Sequence, residues 1–312
     1  MQRILDPEQI EAFAQRAVPR VRLPDPTQVF SLRAARLRKL SEGHAVGDYL
    51  RLMATAADAQ QEVLNSKVGE FGAHNEQRLR LAREHGMPPL QATEWPRDES
   101  WHEVLHNLCS AIATTPGYPA GVARVCSSLR DWPARKLEEQ ADLLLGVASE
   151  RQVDASAAPF IMAALQVHWT RMVASLTLDA VSTHIAVVDV AGICPACGTL
   201  PVASIVRAEK AHQGYRYLHC ALCATEWHLV RIKCSHCEST EGIHYHSIEG
   251  GSQAIRAEAC DTCKTYRKIC YQEHDMDIEP LADDLASLAL DLLMTEEGFH
   301  RASGNPLLWQ ES

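Results

Sequence analysis

The sequence predicts an α+β protein, with an N-terminal all-α helical domain followed by two small β modules and a C-terminal helix. Apolar side chains recur at three- and four-residue steps through most of the first half, which is typical of amphipathic helices. Nine of the 11 cysteines fall between Cys194 and Cys270, in a stretch without a helical period. The predicted boundaries are 1–185 for the all-α domain, 186–230 and 231–275 for the two modules, and 276–312 for an acidic helix and tail.

Helix-start signals support the first domain. Asp6-Pro7-Glu8 combines a capping residue, a first-turn proline and a first-turn acid, a favourable way to begin a helix. Asp48 can cap a second helix, a third begins near Glu99, and Trp132-Pro133 precedes a fourth. Residues 159–176 are apolar on nearly all sides, which predicts a central buried helix.

The segment 185–192, IAVVDVAG, is short and β-branched, so it predicts a strand or a linker between the helical domain and the modules. The chain ends in another helical pattern. Its apolar face is predicted to hold five leucines, and three aspartates are expected between them. The leucines are Leu281, Leu285, Leu288, Leu292 and Leu293, and the aspartates are Asp283, Asp284 and Asp291.

Charge is distributed unevenly. The formal net charge is −10, and residues 276–312 carry eight acidic groups and one basic group. An acidic balance of this kind disfavours binding to nucleic acid or to anionic membranes, since both need a basic face. A basic run in the first domain is expected to be a solvated helix face, with partner docking as the alternative. That run is Arg33, Arg36, Arg38 and Lys39.

The sequence predicts a soluble, cytoplasmic protein. Asp6, Glu8 and Glu11 stand where a signal peptide needs an apolar core. The uncharged and mostly apolar run 155–170 has 16 residues, and a membrane-spanning helix needs about 20. Because the cytoplasm is reducing, paired cysteines there more often bind metal or act in redox chemistry than form disulfides.

The cysteines form an internal duplication. Four Cys-x-x-Cys pairs are separated by 22, 10 and 22 residues, and a shift of 40 residues superimposes the first two pairs on the second two. Two such turns can supply the four corners of a tetrahedron, which predicts one four-thiolate metal site in each copy. A cross-braced arrangement of the pairs is the alternative. The predicted ligands are Cys194, Cys197, Cys220 and Cys223 in the first copy, and Cys234, Cys237, Cys260 and Cys263 in the second.

The spacing leaves the metal open. Four sulfurs suit both zinc and a single iron ion, so each module can be rubredoxin-like or zinc-ribbon-like. Iron sites often carry a glycine directly after each pair, which frees backbone N–H groups to bond the sulfurs. Here only Gly198 follows that habit, while Ala224, Glu238 and Lys264 occupy the other three places.

The remaining cysteines and the nearby histidines are assigned simpler roles. Cys109, Cys126 and Cys270 are expected to be small packed side chains, as free cysteine usually is. The histidines of the metal region are expected to surround the sites or to face solvent, since the sulfur sets are already complete. These histidines are His219, His228, His236, His244 and His246.

The chain resembles the FdhE family of formate dehydrogenase accessory proteins. The resemblance is carried by CPACGTLPVASIV, YLHCALCATEWHLVRIKCSHC and IRAEACDTCKTYRKI in the second half, and by LRAARLRKLSEGHAVGDYLRLMATAADAQ in the first. It covers most of the chain. Trp227 and the link Arg231-Ile232-Lys233 between the two copies belong to its specific part.

The resemblance implies a cytoplasmic maturation factor, or chaperone, that respiratory formate dehydrogenase needs for activity. Such a protein acts on the catalytic subunit, a molybdenum enzyme exported in folded form. The resemblance also implies two rubredoxin-like modules that bind iron through the eight paired cysteines, with zinc as the alternative metal. The sequence does not indicate which residues contact the partner.

The sequence is compatible with three functions. A non-catalytic maturation factor is favoured, because a closed four-thiolate site leaves no coordination position for substrate, so we do not expect an enzyme. The alternative is a redox-active iron protein, an electron carrier or redox sensor acting on formate dehydrogenase. A nucleic-acid-binding zinc ribbon is disfavoured, because each divalent ion in four thiolates is formally −2 and makes a neutral region acidic.

Overall fold

The computed structural model describes residues 20–66, 73–147, 151–176, 192–209 and 213–308. The helix start predicted at Asp6 lies outside these residues, as does all but Gly192 of the strand or linker predicted over 185–192. The first described part consists of a short strand and seven helices. They are β1 (Val21–Arg22), α1 (Val29–Ser41), α2 (Gly47–Ser66), α3 (Ala73–Glu84), α4 (Ser100–Thr114), α5 (Ala120–Asp131), α6 (Ala134–Leu144) and α7 (Ala158–Ala174).

Helix α7 is the centre of the helical domain, as the sequence predicts. Fourteen of its 17 residues are buried, so it is packed on all sides. The backbone and side chains of α7 form hydrogen bonds with the surrounding elements. Gln60 donates to the Ala163 carbonyl at 2.7 Å, and the Trp169 indole donates to the Leu90 carbonyl at 3.1 Å. These bonds satisfy polar groups that burial would otherwise leave unpaired.

The predicted helix starts are close to the observed ones. Helix α4, the third of the predicted helices, has Glu99 at its N-cap, and α6 begins directly after Trp132-Pro133. Asp48 is in the first turn of α2 rather than at its cap, because the helix already begins at Gly47. A Cβ atom at Gly47 would lie 2.5 Å from the Ser41 carbonyl oxygen, so the close approach of α1 and α2 requires glycine there.

The second half is built on one mixed sheet, which confirms the α+β class. Its strands follow the order β1-β4-β3-β2-β7-β6-β5, and β8 also pairs with β7. The parallel pair β2–β7 joins the two cysteine copies, so both modules belong to a single sheet. The strands are β2 (Pro201–Val206), β3 (Arg216–Cys220), β4 (Glu226–His228), β5 (Ile243–His246), β6 (Ile255–Cys260), β7 (Thr265–Tyr271) and β8 (His300–Arg301).

The C-terminal segment differs from the single amphipathic helix expected. It consists of α8 (Pro280–Ala286) and α9 (Leu288–Glu296), separated at Ser287. Leu292 and Leu293 are exposed, and α9 buries Leu290 and Met294 instead. Asp283 and Asp284, expected between the leucines, are buried.

The expectation of a solvated basic face on α1 is wrong for two of its four residues. Arg33 and Arg36 are only 1% and 6% exposed. They stand three residues apart, so they share the face of α1 that packs on α8, and acidic side chains from the C-terminal segment neutralise them. Arg38 and Lys39 are exposed, as predicted.

Four ion pairs connect α1 to the C-terminal segment. The Arg33–Glu279 pair is 3.0 Å long, the Arg36–Asp283 pair 2.6 Å, the Arg36–Asp275 pair 2.7 Å and the Lys39–Asp277 pair 3.1 Å. Three of the eight acidic groups in 276–312 therefore act as counter-charges for the first domain. Among the described helices, none is both long enough and apolar enough to cross a lipid bilayer.

Candidate metal centres

The structure brings the eight paired cysteines together in two groups of four. The first centre comprises Cys194, Cys197, Cys220 and Cys223, and the second comprises Cys234, Cys237, Cys260 and Cys263. In each centre the four sulfur atoms all lie within 4.8 Å of one another. Each centre draws all its sulfurs from one copy of the repeat, so the cross-braced alternative is wrong.

The sulfur separations fit a tetrahedral metal site. In the first centre, Sγ of Cys194 is 3.7 Å from Sγ of Cys223, and Sγ of Cys197 is 3.4 Å from Sγ of Cys220. The corresponding distances in the second centre are 3.8 and 3.7 Å. Four sulfurs about 2.3 Å from a central metal ion would be roughly 3.8 Å apart, whereas a disulfide requires about 2.05 Å. The donor sets therefore suit a mononuclear thiolate-bound metal.

All four Cys-x-x-Cys turns share one backbone conformation. The residue after each pair has a positive φ, namely 75° at Gly198, 56° at Ala224, 64° at Glu238 and 54° at Lys264. The last three are the only non-glycine residues with positive φ among those the structure describes. The missing glycines therefore do not change the turn: three side chains accept a conformation that costs an L-residue about 1–2 kcal/mol.

Backbone N–H groups point at the sulfurs. The N–H groups of Leu222 and Cys223 both donate to Sγ of Cys220 at 3.3 Å, and that of His236 donates to Sγ of Cys234 at 3.4 Å. Such bonds favour the thiolate, which is the form that binds a metal, over the thiol at each sulfur that accepts them.

Hydroxyl groups near the sulfurs are a feature that the cysteine spacing alone did not predict. The hydroxyl oxygens of Thr199, Thr225 and Thr265 each lie 3.1 Å from the second sulfur of the preceding pair. Ser239 has the same position after the third pair. The signal was available in the sequence, since every pair reads Cys-x-x-Cys-x-Thr/Ser.

The first centre is enclosed by the helical domain. Its four cysteines are 0% exposed. The loop before α4 covers one turn, with Leu90 N–H donating to the Ala196 carbonyl and Ala92 N–H to the Cys197 carbonyl, each at 2.9 Å. Gln166 of α7 covers the other turn by donating to the Ala221 carbonyl at 2.8 Å. This centre therefore joins the helical domain to the sheet.

The second centre lies at the surface. Cys237 is exposed and Cys263 is partly exposed, while Cys234 and Cys260 are buried. Beneath the buried pair, the guanidinium of Arg267 donates to the Ser235 hydroxyl at 2.8 Å. The two sulfur sets that duplication made equivalent in sequence thus occupy different environments.

A buried ion pair lies between the two copies. Arg216 is 0% exposed and its Nη2 is 2.6 Å from Oε1 of Glu258, while its Nη1 donates to the Lys233 carbonyl at 3.1 Å. Burial raises the pKa of Glu258, which the Arg216 guanidinium partly offsets. This pair links β3 of the first copy to β6 of the second.

The nearby histidines lie outside both sulfur groups, as expected. His219 is buried and its Nδ1 is 3.1 Å from the Glu226 carboxylate. Burial acts to raise the pKa of Glu226, but Arg207 and His219 lower it to about 2. The ionised carboxylate therefore accepts a hydrogen bond from Nδ1–H. His244 pairs with Asp261 at 2.7 Å, at the surface.

Cys109, Cys126 and Cys270 are buried and lie outside the two centres. The first two pack within the helical domain, on α4 and α5, and the third packs on β7. This agrees with their prediction as packed side chains.

Comparison with known proteins gives a consistent result along the chain. Three family models match in order: FdhE, N-terminal, over residues 18–185; FdhE, central domain, over 193–231; and FdhE, C-terminal domain, over 232–308.

Similar proteins cover nearly the whole length. A protein FdhE homolog of Cronobacter sakazakii is 41% identical over 98% of this chain and 97% of its own length. Protein FdhE of Salmonella paratyphi A is 40% identical over 94% of this chain and 92% of its own. The crystal structure of the FdhE protein from Pseudomonas aeruginosa is 39% identical, with a TM-score of 0.79 over 93% of this chain and 98% of that one.

Proposed function

The chain belongs to the FdhE family, and we propose that it is a maturation factor that binds the catalytic subunit of respiratory formate dehydrogenase in the cytoplasm before export. One observation carries this proposal: family similarity spans the helical domain and both sulfur centres, from residue 18 to residue 308. The family resemblance associates a helical domain joined to two four-cysteine modules with formate dehydrogenase.

We further propose that the eight paired cysteines hold two metal ions. The sulfur separations, the N–H groups aimed at sulfur and the threonine hydroxyls all support thiolate ligation. The resemblance favours iron, and the same four sulfurs would also hold zinc. Metal analysis of anaerobically purified protein, together with its visible spectrum, identifies the ion.

The donor sets support a non-catalytic role for the two metals. Four protein sulfurs complete a tetrahedral site and leave no position for a substrate. A metal in the first centre would instead fix the turns that contact the helical domain through Leu90 and Gln166. We therefore assign the metals to shaping a docking surface, in the way that structural metals contribute folding free energy.

Docking is tested by co-purification of the catalytic subunit from cells. Wild type is compared with Cys220→Ser, which removes one sulfur of the first centre, and with Cys126→Ser, which removes a buried cysteine outside both centres. We expect wild type and Cys126→Ser to retain the subunit, and Cys220→Ser to lose it. If none of the proteins retains it, docking is wrong. If Cys220→Ser retains it fully, the first centre is dispensable for docking.

The exposure of Cys237 favours one second candidate function, in which an iron ion in the second centre carries or senses electrons. Its sulfurs are at the surface, where a redox partner can approach. Such a protein would show visible absorption that bleaches reversibly on reduction. A colourless, zinc-only protein that still supports formate dehydrogenase would rule this function out.

A further inference from the structure

The two sulfur centres are duplicates in sequence but differ in access to solvent. We propose that the second centre is an exchangeable metal site, from which a bound ion passes to a competing thiolate or chelating ligand. The first centre retains its ion under the same conditions. This inference rests on the metal loading proposed above and is independent of docking to formate dehydrogenase.

The residues between the paired cysteines already differ. In the first centre they are Pro195, Ala196, Ala221 and Leu222, and three of these four are buried. In the second centre they are Ser235, His236, Asp261 and Thr262, and three of these four are exposed. One pair of turns is therefore built to face a protein interior, and the other to face water.

The first centre is closed by its surroundings. An incoming ligand must reach a sulfur that is 0% exposed. To do so it must displace the loop held by the hydrogen bonds Leu90–Ala196 and Ala92–Cys197. Side-chain atoms of Pro88 and Gln91 already lie within 3.5 Å of the Cβ position at Gly198, so that loop leaves no gap beside the turn. Exchange there requires local opening of the fold.

The second centre is open on one side. Cys237 and Cys263 form its outer face, whereas Cys234 and Cys260 are 5% and 2% exposed. Ser235 anchors the inner side through its bond from Arg267, which also donates to the Ser303 hydroxyl at 2.5 Å. The inner pair is therefore held in place while the outer pair meets solvent.

Exchange at this face is ligand substitution without electron transfer. An entering thiolate forms a bond to the metal as the bond to Cys237 breaks, and the Cys237 sulfur leaves with its electron pair as a thiolate. Because a free cysteine has a pKa of about 8.5, the released thiolate takes up a proton from solvent near neutral pH. Repeating this at Cys263 and then at the inner pair transfers the ion.

Chelator competition tests the proposal on the full chain loaded with two equivalents of zinc. The protein is mixed with excess 4-(2-pyridylazo)resorcinol, and the coloured zinc complex is followed with time. We expect two phases of equal amplitude, with rates at least about 100-fold apart, since opening of a well-packed region is rare. Rates within about threefold of each other would overturn the proposal.

Thiol trapping assigns the phases without any substitution. Cysteines freed during the fast phase are alkylated with N-ethylmaleimide and located by mass spectrometry. The proposal expects label on the four cysteines of the second centre and little on those of the first. Label appearing first on Cys194, Cys197, Cys220 or Cys223 would overturn it.

A matched variant gives a second assignment. Cys237→Ser is expected to remove the fast phase or accelerate it at least tenfold, and to leave the slow phase unchanged. Cys126→Ser is expected to leave both phases unchanged. A Cys237→Ser protein whose slow phase is lost would contradict the assignment. A wild-type protein that holds fewer than two zinc equivalents would refute metal loading itself, whereas a failure to capture formate dehydrogenase would refute docking alone.

Discussion

Replacing Arg36 by methionine should destabilise the protein strongly, because it leaves carboxylates of the C-terminal segment buried without their cation. Nε and Nη2 of Arg36 donate to the two carboxylate oxygens of Asp283 at 2.9 and 2.6 Å. Nη1 donates to Asp275 at 2.7 Å. The Arg36 and Asp283 side chains are 5% and 6% exposed, so solvent cannot replace the lost partner.

Removing one member of a buried ion pair costs about 3–5 kcal/mol, most of it from the uncompensated charge that remains. Methionine keeps much of the side-chain volume, so the loss is not one of packing. Lys39→Met is the matched control on the same helix. In its pair with Asp277, the Lys39 side chain is 59% exposed and the Asp277 side chain is 72% exposed. Exposed pairs contribute at most about 1 kcal/mol to stability.

The assay is urea unfolding followed by far-ultraviolet circular dichroism, from which the free energy of unfolding is obtained for each variant. Adding Asp283→Asn to Arg36→Met removes the buried charge but keeps an oxygen that can accept from Glu279 N–H, now at 2.9 Å. The double variant should recover about half of the loss. If Arg36→Met loses no more than Lys39→Met, or if the double variant is no more stable than the single one, the argument from buried charge is wrong.

Two further predictions concern the helical domain and the first centre. Burial lowers the pKa of His168 to about 4, from 6.5. As the pH falls, His168 is protonated in the unfolded chain before it is protonated in the folded chain. The free energy of unfolding should therefore decrease by about 1 kcal/mol when the pH is lowered from 7 to 5.5. The free energy of unfolding of His168→Gln should decrease less over that pH range, as measured by parallel urea titrations. An equal dependence on pH in the two proteins would contradict the assignment to His168. Gly198→Ala should cost about 1 kcal/mol in the same assay at pH 7, because φ is 75° and L-residues are strained there. A neutral result would mean that thiolate ligation alone fixes the turn.

The contrast between the two centres divides the functional question into separate parts. A metal in the first centre would connect the sheet to the helical domain, so its loss should affect folding and every surface that depends on it. A metal in the second centre would lie at the surface, where exchange, oxidation or electron transfer can occur. Variants of one centre therefore need not reproduce the effects of variants of the other.

The sequence predicted the helical domain well because its signals are local. The burial of α7 on all sides is predicted by its own nearly all-apolar sequence. The start of α6 is marked by Trp132-Pro133. The C-terminal segment was harder to predict. Leucines recur there at helical spacing, but Leu292 and Leu293 are exposed. Asp283 is buried, and its ion pair is with Arg36 of the distant helix α1.

The sequence by itself determined the four Cys-x-x-Cys turns and predicted their grouping, while the structure excluded the cross-braced alternative. Each turn is specified by a few consecutive residues, and a 40-residue shift reveals that the unit is repeated. Tertiary structure decided which copy is enclosed and which acid meets which base. Arg36 and Asp283 are separated by 247 positions, and the loop that covers Cys197 lies more than 100 residues before it. Local spacing cannot encode such pairings, because they depend on how whole elements pack, and packing also determines which of the two equivalent sulfur sets reaches solvent.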